Sequence, residues 1–186
     1  MAKLSFWDYK NHGGCEREIR KLYRAAFPKE ERMPFWALKH LAKKNNAKLY
    51  GIYEGHQFVG MMYHVYYKDI IYVFFFAVRE DLRGKSYGTR ILQAVRRRFA
   101  DRRLILMIEE LDPAAENYGQ RAKRKAFYEK NGFTGLGYRV KEGSVVYEML
   151  CSSREGRGVS KEEYMELMKA YFGDFLFTHV YQRLSK

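Results

Sequence analysis

The chain predicts a mixed α/β (α+β) fold, in which a mostly antiparallel sheet is flanked by helices. Three observations predict it. The apolar run Ile70 to Val78, rich in β-branched and aromatic residues and bounded by charges, suits a strand covered on both faces. A helical stretch and a second apolar run, Leu104 to Ile108, follow it, so the strand–helix–strand succession makes these two strands parallel. The strands before and after this unit are joined by tight turns, which only antiparallel neighbours can use.

In chain order, Leu4-Ser5-Phe6 makes a short first strand. From Glu16, the residues Ile19, Leu22, Tyr23, Ala26 and Phe27 recur at helical spacing until Pro28 ends the pattern. A second helix follows Pro34, with Phe35, Leu38, Leu41 and Ala42 on one side and Asn45-Asn46 closing it. Lys48 to Tyr53 and Gln57 to Tyr67 are strands around the turn Glu54-Gly55-His56. The central strand then passes through a charged loop into a helix beginning near Tyr87. Its inner positions are Tyr87, Ile91, Ala94, Val95 and Phe99, and Arg102-Arg103 caps its end.

After the second apolar run, Asp112-Pro113 breaks the chain. Gln120 to Lys130 is a helix with Ala122, Ala126 and Phe127 inside, ended by Gly132. Phe133 to Val140 and Ser144 to Leu150 form a hairpin around Lys141-Glu142-Gly143-Ser144. Ser160-Lys161-Glu162-Glu163 is a capping box opening a last helix, with an apolar tail Phe175-Leu176-Phe177 behind it. Residues 1–150 are expected to form the main domain and 151–186 a helical extension packed on it.

At 186 residues the chain is long enough to bury a core without staples. Cys15 and Cys151 lie far apart, with no Cys-x-x-Cys and no metal spacing, which fits small buried hydrophobes in a reduced, cytoplasmic environment. The histidines His12, His40, His56, His64 and His179 show no paired spacing, so no metal is expected. Apolar residues nowhere continue for the ~20 needed to span a bilayer, and the N-terminal residues do not read as a signal peptide. The net charge of +13 is concentrated at the front: residues 1–50 hold 12 Lys and Arg against 5 Asp and Glu. A solvated basic surface accounts for this, as does a polyanionic partner, whether a cofactor, an acidic substrate or a nucleic acid.

The chemistry sits in the turn Arg83-Gly84-Lys85-Ser86-Tyr87-Gly88-Thr89. The glycines allow close backbone approach, the helix start offers unpaired N–H groups, and Arg83 and Lys85 add positive charge. Taken alone, the turn reads equally as a phosphate cradle or as an exposed loop. A Walker A loop would need Gly where Arg79 stands. Gly84-Lys85-Ser86-Tyr87-Gly88 also fits the Gly-x-Ser-x-Gly of serine hydrolases, with Asp112 and His179 following in order. An elbow of that kind puts Ser directly at a strand end, however, and Arg79 to Arg83 intervene here.

The same segment resembles the acetyl-CoA motif of the GNAT (GCN5-related) N-acetyltransferases, Arg/Gln-x-x-Gly-x-Gly/Ala. Arg83 stands at the first position, Gly88 at the last and Ser86 in place of the middle Gly. Downstream, Tyr128-Glu129-Lys130-Asn131-Gly132-Phe133 resembles the family's Tyr-x-x-x-Gly-Phe segment. The resemblance covers roughly residues 48–150 and implies acetyl transfer from acetyl-CoA to a primary amine of a small molecule or peptide, by direct attack in a ternary complex. It implies that the two parallel strands splay at their C-terminal ends to admit the pantetheine arm. The backbone of Phe76, Ala77 and Val78 would bind that arm, and Arg83, Gly84, Lys85, Ser86, Tyr87, Gly88 and Thr89 the diphosphate. Asn117 is a further candidate cofactor contact, and Tyr128 the general acid for the departing thiolate. The two helices after the first strand would border the acceptor.

An alkyl ammonium has a pKa near ~10.4 and must lose a proton before it attacks. Glu80, Glu109 and Glu110 are the carboxylates nearest the expected strand ends, with Glu80 and Glu109 preferred and His64 an alternative base. A monomer or homodimer with no membrane partner is expected. The competing readings are a non-catalytic CoA- or nucleic-acid-binding module on the same fold and a serine hydrolase using Ser86.

Overall fold

The computed structural model describes residues 3–29, 31–142, 145–173 and 177. Among the described residues seven strands form one sheet in the order β1-β2-β3-β4-β5-β7-β6, with five α-helices. The mixed, mostly antiparallel fold is therefore as the sequence indicates. Backbone proximity divides the chain into two compact units, residues 1–65 with 73–98, and 66–72 with 99 onward.

The first unit begins with β1 (Leu4–Asp8), α1 (Glu16–Ala26) and α2 (Phe35–Leu41), followed by β2 (Ala47–Glu54) and β3 (Gln57–Tyr67). α1 stops one residue before the expected Phe27, which is extended at φ −121° and ψ 131° because Pro28 forbids helical backbone in the residue before it. α2 is shorter than its apolar pattern and ends at Leu41, with tight turns leading on. Ile19, Leu22 and Tyr23 of α1 and Leu38 of α2 are buried together with Leu49, Ile52, Met61 and Tyr63 of β2 and β3. β2 and β3 pair antiparallel with one irregularity. Ile52 faces Gly60 and Tyr53 faces Phe58, so Val59 is an extra residue, a β-bulge.

β4 (Ile70–Val78) begins in the second unit and runs into the first. In the first unit it passes so close to β3 that a Cβ on Gly60 would lie 2.6 Å from the Ala77 carbonyl oxygen. Only glycine fits there. α3 (Tyr87–Arg98) completes this unit and buries Ile91, Leu92 and Val95. Leu92 takes the inner position expected of Ala94.

In the second unit Ile70, Ile71 and Tyr72 pair in parallel with Arg103, Leu104 and Ile105 of β5 (Arg103–Glu109), and this parallel ladder registers only those three pairs. α4 (Tyr118–Lys130), β6 (Thr134–Glu142) and β7 (Val145–Ser152) follow, β7 lying antiparallel between β5 and β6. The hairpin tip Gly143-Ser144 lies outside the described residues. α4 was expected to turn Ala122, Ala126 and Phe127 inward. None of its residues is fully buried and Ala126 is exposed, because five cations in thirteen residues leave too little apolar surface for a core face.

Arg103 corrects another expectation. It does not cap the preceding helix but opens β5, 6% exposed, with its guanidinium bonded to both oxygens of Asp69 at 2.8 Å. The same guanidinium bonds both oxygens of Glu163, at 2.9 and 2.7 Å, and the Gly158 carbonyl at 2.8 Å. Glu163 also closes the predicted capping box of α5 (Lys161–Phe172): the Ser160 hydroxyl accepts from its N–H at 3.2 Å, and its carboxylate accepts from the Ser160 N–H at 3.0 Å. α5 thus belongs to the second unit, with Tyr164 buried edge-on against Tyr72 at 5.6 Å. Phe175, Leu176 and His179 lie outside the described residues.

Candidate functional site

The turn after β4 is built outward from the bulge. The Val59 carbonyl accepts from the Arg79 N–H at 3.0 Å, and the Arg79 guanidinium donates to the Phe58 carbonyl at 3.1 Å and to both oxygens of Asp81 at 3.0 and 2.6 Å. β4 is thereby stopped at Val78. Because Ala77 and Arg79 face β3, strand alternation turns the N–H and C=O groups of Phe76 and Val78 toward the opposite edge.

A single 3-10 turn, Glu80–Leu82, follows, anchored by buried Leu82. The backbone is then left-handed at Gly84 (φ 76°) and at Ser86 (φ 62°). Such a φ costs a non-glycine L-residue ~1–2 kcal/mol. Ser86 stands where the motif calls for glycine, and the backbone adopts the conformation that explains why glycine is favoured there. The Ser86 carbonyl accepts from the Arg90 N–H at 3.0 Å, so α3 starts immediately after it and the N–H groups of Tyr87, Gly88 and Thr89 have no acceptor within the helix. Arg83 and Lys85 are exposed and form no ion pair among the described residues. Unpaired amide hydrogens at a helix N-terminus beside two exposed cations have the chemistry that suits a phosphate or diphosphate.

What holds this seat in place was not legible beforehand. The Tyr87 hydroxyl donates to Glu54 Oε2 at 2.5 Å, Arg90 donates to Glu54 Oε1 at 2.5 Å, and the Arg90 guanidinium lies 5.0 Å from the Tyr87 ring centre. Hydrogen bonds from Arg90 and Tyr87 hold the Glu54 carboxyl below its usual pKa. The sequence marks Glu54 only as a turn residue.

In the second unit, Tyr128 occupies the last turns of α4. Gly132 is left-handed (φ 80°), its N–H reaches the Glu129 carbonyl at 2.9 Å, and the Phe133 N–H reaches the Tyr128 carbonyl at 3.1 Å. This is a Schellman cap, completed by ring contact between Phe133 and Tyr128 at 5.6 Å. The Tyr-x-x-x-Gly-Phe pattern is therefore a device that fixes the tyrosine. Phe133, expected in the strand, is buried in this cap. The Asn131 amide donates to the Phe127 carbonyl at 2.7 Å and tightens the same turn. The Tyr128 ring is half-buried, and burial pushes its phenol up to about 12.

Glu109, at the end of β5, is buried and accepts from Arg124, from Asn117 Nδ2 at 3.0 Å, and pairs with Arg121 at 3.4 Å. Asn117 Oδ1 in turn accepts from Arg121 at 2.7 Å. These three partners lie at the start and middle of α4, so the carboxylate ties that helix to the end of β5. Glu80, by contrast, is exposed and forms no ion pair among the described residues. Glu110 pairs with Arg139. His64 is a core residue of the first unit, 1% exposed beside Tyr50, and burial holds it near 3, well below the usual imidazole value.

Ser86 is separated from the end of β4 by residues 79–85, and no strand-end elbow forms around it. Among the described residues no three His, Cys, Asp or Glu side chains converge as metal ligands, and no helix is long and apolar enough to cross a membrane.

Comparison with known proteins agrees with this construction. The model of the acetyltransferase (GNAT) family matches residues 16–133. No curated protein matches the chain. Among solved structures, a chain assigned to the GNAT acetyltransferases of Bacteroides thetaiotaomicron superposes with a TM-score of 0.70 at 22% identity, covering 96% of this chain and 98% of that one. An aminoglycoside 6'-N-acetyltransferase complexed with coenzyme A gives 0.63 at 16% identity, over 84% and 99% of the two chains. The ribosomal-protein-S18-alanine N-acetyltransferase of Escherichia coli gives 0.60 at 14%, over 86% and 99%. At these identities the structural likeness speaks for the fold, while the family match spans most of the chain and includes both motif segments. The chain belongs to the GNAT acetyltransferase family and is an acyltransferase.

Proposed function

We propose that the chain transfers an acetyl group from acetyl-CoA to a primary amine of a small molecule or peptide, by direct attack while both are bound. The observation that carries this reading is the left-handed backbone at Gly84 and Ser86 where α3 begins, which leaves the N–H groups of Tyr87, Gly88 and Thr89 without a helical acceptor beside Arg83 and Lys85. In this reading those residues hold the diphosphate. The backbone groups of Phe76 and Val78, with Ala77 fixed against Gly60, bind the pantetheine arm and polarise the thioester carbonyl.

The neutral amine nitrogen attacks that carbonyl carbon, forming the C–N bond. The tetrahedral oxyanion collapses, the C–S bond breaks, and Tyr128 gives its proton to the departing thiolate; the second proton of the nitrogen, lost as the amide forms, passes through solvent and restores the Tyr128 phenol. A phenol held near 12 stays protonated throughout the working pH range and is available for that step. Of the two candidate bases, exposed Glu80 takes the ammonium proton through water. Glu109 and Asn117, already bonded to each other and to Arg121, are assigned a positioning role, holding α4 and with it Tyr128. Incubation with acetyl-CoA and a panel of amines, following release of free thiol, tests the reaction. Amine-dependent thiol release supports it, and its absence across cationic, neutral and anionic amines contradicts it.

A further inference from the structure

The solvent face of α1 carries a stripe the acetyl-transfer reading does not use. Arg17, Arg20, Lys21 and Arg24 stand at i, i+3, i+4 and i+7, all exposed, while Ile19, Leu22 and Tyr23 face the core. The nearby carboxylates are already engaged. Glu16 accepts from Arg20 at 2.7 Å, Lys39 at 3.0 Å and the Tyr9 hydroxyl at 3.1 Å, and Glu18 accepts from the Tyr53 hydroxyl at 2.5 Å. Among the described residues Arg17, Lys21 and Arg24 form no ion pair.

α2 packs alongside through Phe35, whose ring lies 5.1 Å from the Arg20 guanidinium, and through the Lys39–Glu16 pair. The next residue, Trp36, is 73% exposed, the most exposed large hydrophobic side chain among the described residues. An indole held in water on a helix packed beside that stripe contributes little to folding. Its flat face suits a stacked ring, and the cations suit phosphates.

We propose that this face binds single-stranded nucleic acid, phosphates along the α1 stripe and a base stacked on Trp36. Seven residues of helix span ~10 Å, so the four cations form one continuous stripe. An acidic peptide would satisfy the cations but leave the indole without a partner, which is why bases are favoured. The surface shares no residue with the turn at the start of α3, and because α1 and α2 are the helices expected to border the acceptor, binding is tested in the absence of acetyl-CoA and amine.

The test is fluorescence anisotropy of a labelled single-stranded 12-mer with the full chain, against a labelled oligo-glutamate peptide of the same length. Three to four phosphate contacts give a log–log salt slope of about −2 to −3, a weakening of roughly 20- to 50-fold between 50 and 200 mM salt. Changing Arg17, Lys21 and Arg24 together to Gln should flatten the slope by about 2. Trp36→Ala should weaken binding about tenfold and leave the slope unchanged. All four positions are exposed, and circular dichroism verifies that the variants fold. No oligonucleotide binding at 50 mM salt would overturn the proposal. So would binding indifferent to both variants, or the peptide binding as tightly as the oligonucleotide with Trp36→Ala without effect.

Discussion

The Tyr87 hydroxyl donates to Glu54 at 2.5 Å, joining the first residue of α3 to the last residue of β2 across 33 positions of sequence. Arg90 closes the same carboxylate from the next turn of the helix. The helix start that the proposed function gives to the diphosphate is thus anchored by a carboxylate from another element. Glu54→Gln keeps the shape and weakens both bonds. It should raise the Kd for CoA about fivefold with kcat nearly unchanged, as titration calorimetry and initial rates would show. An equal fall in kcat would assign Glu54 a direct part in the chemistry.

Ser86 holds a left-handed φ of 62° without a glycine's freedom. Ser86→Gly relieves ~1 kcal/mol of strain and increases unfolded-state entropy by somewhat less, so a small net stabilisation, about 0.5 kcal/mol, is expected with CoA affinity retained. Ser86→Val should destabilise by at least ~1 kcal/mol and loosen CoA binding. Denaturant midpoints at constant slope provide the measurement. Loss of all thiol release in Ser86→Gly would instead point to the hydroxyl as a nucleophile.

Arg103 holds β5, the turn at Asp69 and the start of α5 together, and its removal takes the shared buried partner from two partly exposed carboxylates, of which Asp69 keeps Arg157. Arg103→Ala should cost ~1–2 kcal/mol, and Arg103→Met less, because its apolar chain fills the space. The Arg103 guanidinium, with Arg157 adding to it, holds Asp69 near 2, below the ordinary aspartate value of 3.8. Its contribution is therefore full above about pH 4 and lost as pH falls toward 2, discounted for the carboxylate's partial exposure. Thermal melts of wild type and Arg103→Met from pH 6 to 2 should converge over that window. Parallel curves would contradict the coupling.

Tyr128→Phe removes one oxygen and leaves the Schellman cap intact. Turnover should fall ~100-fold or more, with KM for acetyl-CoA little changed. Because the phenol is held near 12, the wild-type profile should show no alkaline decline from Tyr128 below about pH 11. Unchanged turnover across pH would remove Tyr128 from the mechanism.

Much of this architecture was legible in local sequence. The central strand, the start of α3 at Tyr87 and the capping box at Ser160 follow from runs, spacing and caps, each of which acts within a few residues. The functions of Glu54, Arg103 and Asn131 were not legible, because a charge or amide that pairs across a fold leaves no periodic trace. Arg103 looked like an ordinary helix-end cation, and only its burial between Asp69 and Glu163 reveals otherwise. α4 misled in the opposite sense, since its Ala and Phe spacing suggested a core face that its cations prevent. Ser86 looked like a departure from the motif, and its positive φ shows that the backbone follows the pattern where the side chain does not.

The most direct test is a crystal structure of the chain with CoA bound. The diphosphate oxygens should lie ~2.9 Å from the backbone nitrogens between Gly84 and Thr89, with Arg83 or Lys85 beside them. Ordered CoA whose diphosphate lies away from this turn would contradict the account.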